Sequence, residues 1–123
     1  MAVFQSRDTR TFEAGSDLSA AQFKFVALAA DGQVDVAGDG VAAVGVLLNE
    51  PAAAGRAATV VVSGKTIVEA GGSITAGDDI ASDLNGDAIT ADTGDIILGY
   101  ALEDGADGQI IAVELINGGN AAA

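Results

Sequence analysis

Residues 32–50 of this chain are written twice. Laid on residues 86–104, about 54 positions further on, they place Gly32 on Gly86, Val36 on Thr90, Gly40 on Gly94, Val44 on Leu98, Gly45 on Gly99, Leu48 on Leu102 and Glu50 on Asp104. Such self-similarity constrains a fold more than composition does, because each copy has to be one structural unit. Apolar and glycine positions agree while the remaining side chains do not, so a framework repeats rather than a catalytic apparatus. The match runs back from residues 21–29 onto 76–84 and forward from 57–62 onto 109–115. Residues 1–15 fall outside it.

The framework is β. Phe23 and Phe25 alternate in a run ending near Leu28, an Asp31-Gly32 turn follows, and Val34 and Val36 alternate again, which is the pattern of a hairpin. The apolar run 42–48 is too short and too broken by glycine for a helix, and Asn49-Glu50-Pro51 closes it. Thr59-Val60-Val61-Val62 is β-branched and suits a pleated surface. A turn or bulge at Gly64 leads into another strand at 65–69, and Gly71-Gly72 is the hinge between the halves. Glycines 45 and 99, inside apolar runs, mark bulges or close backbone approach.

About nine short strands with turns between them predict an all-β domain, a small β-barrel or sandwich with an internal pseudo-two-fold repeat and an extended N-terminal arm. The expected division is an arm at 1–15, a single β-domain at 16–116 with halves 21–62 and 76–115, and a flexible tail at 117–123. The stretches 44–48, 60–62 and 96–102 are apolar at consecutive positions, where a sheet with one wet face would alternate. A chain of this length has little of its own to cover a second face. That points to subunit contacts, with Val61 and Ile97 at an oligomer interface or in the core.

Composition removes most chemistry. With no cysteine and no histidine there is no thiolate nucleophile, no Cys/His zinc site and no imidazole base. The excess of 18 Asp and Glu over 5 Lys and Arg leaves a net charge of −13, which repels a phosphate backbone or an anionic leaflet. We therefore expect a non-enzymatic protein without cofactor or metal, with no nucleic-acid or membrane partner, whose partner is basic or apolar. The N-terminus has no apolar leader segment and no run is long enough to span a bilayer, so the chain reads as soluble and unprocessed.

The local motifs read as turns. Ser63-Gly64-Lys65-Thr66 ends like a phosphate-binding loop, but Thr59 stands where the first glycine belongs and a stiff valine run fills the loop interior. Gly38-Asp39-Gly40 imitates a dinucleotide fingerprint ahead of a strand instead of a helix. Asp83 to Asp87, Asp78-Asp79, Asp104 and Asp107 offer hard oxygen ligands. Their spacing misses the glycine and glutamate positions of a calcium loop, so they read as turn carboxylates, with a calcium-dependent acidic binding or adhesion module as the alternative.

From Ala29 to Ile116 the chain resembles the small capsid decoration, or cement, proteins of tailed bacteriophages. The resemblance lies in Ala29-Ala30-Asp31-Gly32, Ala43-Val44-Gly45-Val46, Ile74-Thr75-Ala76-Gly77-Asp78-Asp79-Ile80, Leu98-Gly99-Tyr100-Ala101-Leu102 and Ile111-Ala112-Val113-Glu114-Leu115. It implies a structural virion protein, made in the host cytoplasm, that sits as a homotrimer on the outer capsid surface and stabilises the lattice of the major capsid protein. The family brings no catalytic residues. The arm concentrates Phe4, Arg7, Arg10 and Phe12 in a chain otherwise acidic and poor in aromatics, and such residues are enriched at interfaces, so these four are the expected contacts to the capsid or a neighbouring copy.

Overall fold

The computed structural model describes residues 7–116 and 120–122. They form nine strands and no helix: β1 (Arg7–Ala14), β2 (Phe25–Ala30), β3 (Gln33–Val36), β4 (Gly45–Leu47), β5 (Ala57–Glu69), β6 (Asp79–Ser82), β7 (Ala88–Thr90), β8 (Gly99–Ala101) and β9 (Ile110–Leu115). Hydrogen bonding orders them β1-β3-β2-β4-β5-β9-β8-β6-β7, and a further pairing of β1 with β5 closes the first five into a ring. The all-β expectation holds, as a barrel-like sheet.

The repeat is present strand for strand. In the first half β2 pairs with β3 and β4, and β4 with β5; in the second β6 pairs with β7 and β8, and β8 with β9. Registers coincide as well. Val26 lies opposite Val36 and Gly45, as Ile80 lies opposite Thr90 and Gly99. Leu47 lies opposite Val60, as Ala101 lies opposite Val113. Matching pattern at matching positions fixes matching register, since a one-residue slip would turn every apolar side chain to the wrong face.

Strand β5 is 13 residues long because it serves both units. Up to Gly64 it pairs with β1 and, at Val60 and Val61, with β4; from Gly64 onward it pairs with β9. Gly64 sits at the crossing with a φ of 91°, a left-handed conformation that only glycine adopts without strain. The expected turn before residue 65 is thus a local kink within one continuous strand.

It follows that β1 is the first unit's counterpart to the second part of β5, and the segment expected to stand outside the repeat lies, from Arg7 onward, within it. Ala14 pairs in parallel with Val34, and Ala70 makes a parallel bridge to Ala88. The Ala14 amide donates to the Arg56 carbonyl and the Gly55 amide to Ala14; Ala70, Gln109 and Gly108 repeat both bonds. Glu13-Ala14-Gly15 is the earlier writing of Glu69-Ala70-Gly71. Of the segment expected to fray, the described residues 120–122 bond to the second unit, the Ile97 amide donating to the Asn120 carbonyl and the Gly94 amide to that of Ala122.

Each unit encloses a core. Ala14, Leu18, Val26, Val34, Leu47, Ala58 and Val60 fill the first; their repeat counterparts Ala70, Ile74, Ile80, Ala88, Ala101, Ile111 and Val113 belong to the second. The second cluster is larger because Phe25, Val46 and Val61 join it from the first unit. Strands β2, β4 and β5 are therefore a wall between two cores: Val26, Leu47 and Val60 point one way, and Phe25, Val46 and Val61 the other. Fully burying each such side chain contributes about 1.5–3 kcal/mol. The consecutive apolar residues expected to need a neighbouring subunit are covered, at Val46–Leu47 and Val60–Val61, by the chain's own second unit.

Two glycines make the wall and its copy possible. A Cβ on Gly45 would collide with the Val61 carbonyl oxygen, and one on Gly99 with that of Glu114. Both mark close backbone approach, as their placement in apolar runs predicts.

Candidate functional site

The residues singled out in the sequence do not converge. Phe4 lies outside the described residues. Arg7 opens β1, opposite Gly64 on β5. Arg10 is exposed and pairs with Asp8 at 3.3 Å, a contact between two wet side chains that adds little to stability. Phe12, two residues on, is half-buried against the first core, so its ring is a packing group before it is a contact group. Val61 is fully buried between the units. Ile97 is half-buried in the loop that holds the tail.

The sequence reading missed the polar junction between the units. Lys24, at the foot of β2, bonds Asp87 at 2.5 Å and lies 3.7 Å from Glu69, both supplied by the second unit. Burial alone would lower the Lys24 pKa, but the Asp87 hydrogen bond and charge, with Glu69 and Asp83 behind it, outweigh burial and raise it. A cation with two carboxylates at a partly dry seam fixes one orientation of the units, since losing it strands a buried acid. The Phe25 amide donates to the Gly86 carbonyl and the Glu69 amide to that of Phe23, so backbone bonds flank the junction. Beside it opens a groove of about 410 Å³ lined by Asp17, Leu18, Lys24, Val36, Leu84 and Asp87. Its cation is already committed to Asp87.

Several of the other acids brace turns and loops. Asp83 accepts from the amides of Asn85 and Asp87, Asp78 from the Thr75 amide and the Thr90 hydroxyl, Asp95 from the Asp92 amide and Asp104 from the Ala76 amide. Carboxylates that accept from the amides of their own turns stabilise tight loops, and Asp104 ties its loop to the distant Ala76. Asp17 does the same for Ser19, whose hydroxyl and amide hold its carboxyl below the usual range. Among the described residues no group of three or more acids is placed to hold a metal ion. Lys65, in the imitation phosphate loop, lies in mid-strand opposite Glu114, with no helix to follow.

What the geometry defines is a two-unit β scaffold that displays surfaces. Comparison with known proteins agrees. The family model of the phage cement protein matches residues 5–115, and the chain belongs to that family, whose place is on the virion. No curated protein matches the chain. Among solved structures, the N base of the head fiber gp8.5 of bacteriophage phi29 superposes with a TM-score of 0.71 at 21% identity, covering 90% of this chain and 95% of that one. At that identity the likeness is one of fold. The protein is a structural, capsid-associated component of a phage particle.

Proposed function

We propose that this protein binds the outer surface of the capsid, contacts the major capsid protein and stabilises its lattice, acting as a homotrimer without enzymatic activity, cofactor, nucleic-acid or membrane partner. The family match over residues 5–115 carries this reading. The physical support is a scaffold whose chain covers both faces of its central wall, and whose net charge of −13 favours a basic facing surface. Arg10, exposed on β1, and Phe4 and Arg7 before it are the proposed capsid or neighbour contacts; Phe12 contributes by holding β1 in place.

The test uses shells that lack the protein. Purified chain should co-sediment with them, raise the temperature at which they release DNA, and bind less tightly as salt is added, because an acidic molecule on a basic surface is screened. Failure to co-sediment would sink the capsid reading, and attachment without a gain in shell stability would remove the lattice function. Arg10→Ala, which removes the contact without adding a charge that a basic surface would attract, should weaken attachment without lowering the melting temperature of the free protein.

A further inference from the structure

The two units, built alike, wear different outer faces. On β5 the side chains of Lys65, Ile67 and Glu69 point outward, and on β9 those of Ile110, Ala112 and Glu114. Lys65 lies opposite Glu114, Ile67 opposite Ala112 and Glu69 opposite Ile110. Beyond them Tyr100 of β8 lies opposite Glu114, and the Leu102 amide donates to the Ala112 carbonyl. Ile67, Tyr100, Leu102, Ile110 and, two residues past Glu114, Ile116 are five of the nine large apolar side chains exposed among the described residues. Side chains that share registers on one sheet form one surface. At 38–45% exposure each, they leave on the order of 350 Å² open, the size of patch that on a monomer usually has a use.

The fold does not require this. The same positions on the first unit are Thr11 for Ile67, Ala57 for Ile110, Thr59 for Ala112 and Thr9 for Lys65, a small and polar set on the same sheet in the same register. The first unit is an internal control: at Ile67 and Ile110 the apolar character belongs to the second unit alone, while Tyr100 and Leu102 answer to Val46 and Leu48, which in the first unit pack into the second core.

We propose that the outer face of β5, β9 and β8 on the second unit is where a second copy of this chain docks. This rests on the self-association in the proposed function and names its surface. Charge favours a copy as the occupant. Two molecules of net charge −13 repel, and they approach most readily beside a cation: Lys65, one of the chain's five basic residues, stands on this face. A basic partner would instead be drawn to the acidic turns elsewhere. The first unit adds a precedent, because Phe25, Val46 and Val61, the counterparts of Asp79, Tyr100 and Glu114, already receive a whole β unit there. The apolar patch supplies the dry centre of a contact that, at standard size, buries about 800 Å² per partner.

The decisive variant gives the second unit the first unit's residues, Ile67→Thr with Ile110→Ala, both of which this fold already tolerates at the equivalent positions. In sedimentation at micromolar concentration the unmodified chain should be associated, and the double variant should dissociate with an equilibrium constant weakened at least tenfold and an unchanged circular dichroism spectrum. The chain has no cysteine, so Ile67→Cys carrying benzophenone-maleimide gives an independent readout: it should photo-crosslink to a second copy, and Thr11→Cys should not. An unmodified chain that sediments as a monomer would sink self-association itself. An associated chain whose mass the double variant leaves unchanged, with no crosslink from position 67, would leave self-association standing and overturn this face as its site. Loss of attachment to shells with unaltered self-association would give the face to the capsid instead, and equally overturn the proposal.

Discussion

Val61 and Glu114 occupy the same place in two copies of one unit, yet the first is sealed and the second is half-exposed at the surface. Phe25 and Asp79 form a second such pair, and Val46 and Tyr100 a third. In each the apolar member lies where the first unit meets the second, and the polar or amphipathic member lies where no further unit follows. A duplicated framework thus gave two identical frames different outer faces, one used inside the chain and the other open to a partner.

Substitutions at these paired positions test that view most severely. Val61→Asp places an unpaired carboxylate between two cores, a cost of several kcal/mol, and the protein should not reach a folded state by circular dichroism. Glu114→Val at the equivalent position should leave stability within about 0.5 kcal/mol, as most surface changes do. A comparable loss at both, measured at a concentration too low for self-association, would mean that the second unit's face is covered within the single chain.

Truncation comes next in size. Removing residues 1–12 takes most of β1 from the ring and exposes the first core, so the melting temperature should fall steeply. Removing residues 1–6 leaves the pairing that runs from Arg7 to Glu13 in place and should shift it little. If both truncations melt alike, β1 contributes nothing to the first unit and the equivalence with the second part of β5 is only formal.

At the junction, Lys24→Met should cost about 2 kcal/mol, because the acid it neutralises stays behind in a partly dry seam. The pKa of Lys24 is raised above its ordinary 10.5 in the folded protein. Its contribution is therefore present in full below pH 10.5 and is lost as pH climbs through the raised value. Chemical denaturation against pH should show the wild type losing stability in that alkaline range and the variant losing less.

The smallest effect belongs to a backbone position. Phe23, at a φ of 66°, is the one non-glycine residue with positive φ among those described, and it stands where the second unit has Gly77, at 89°. The Phe23 amide donates to Leu47 as the Gly77 amide donates to Ala101. Gly77→Ala should cost about 1 kcal/mol, since a side chain resists that conformation. No loss in a denaturant titration would show that the turn relaxes and that Phe23 carries no strain either.

Much of this was legible in the residues. Glycines and apolar side chains recurring at about 54 positions specified two like β units, and the absence of cysteine and histidine with the surplus of acids disposed of most chemistry. The pair Glu13-Ala14-Gly15 and Glu69-Ala70-Gly71 was legible too, and would have placed β1 inside the first unit. Phe4, Arg7, Arg10 and Phe12 compete with that signal, because their residue types point to an interface. The comparison of Thr11 with Ile67 was also in the sequence, but it acquires meaning only once both are known to face outward on equivalent strands.

The sequence by itself determined the β units, their register and their turns, because those depend on periodicity, glycine and neighbouring side chains, all of which are local. Which wall would be shared was decided by tertiary structure alone. A valine run such as Val60-Val61-Val62 states that both faces must be dry, and burial rewards removal of apolar surface from water without regard to what removes it. Whether a second unit or a second subunit does so depends on where the kink at Gly64 and the Lys24–Asp87 pair set one unit upon the other.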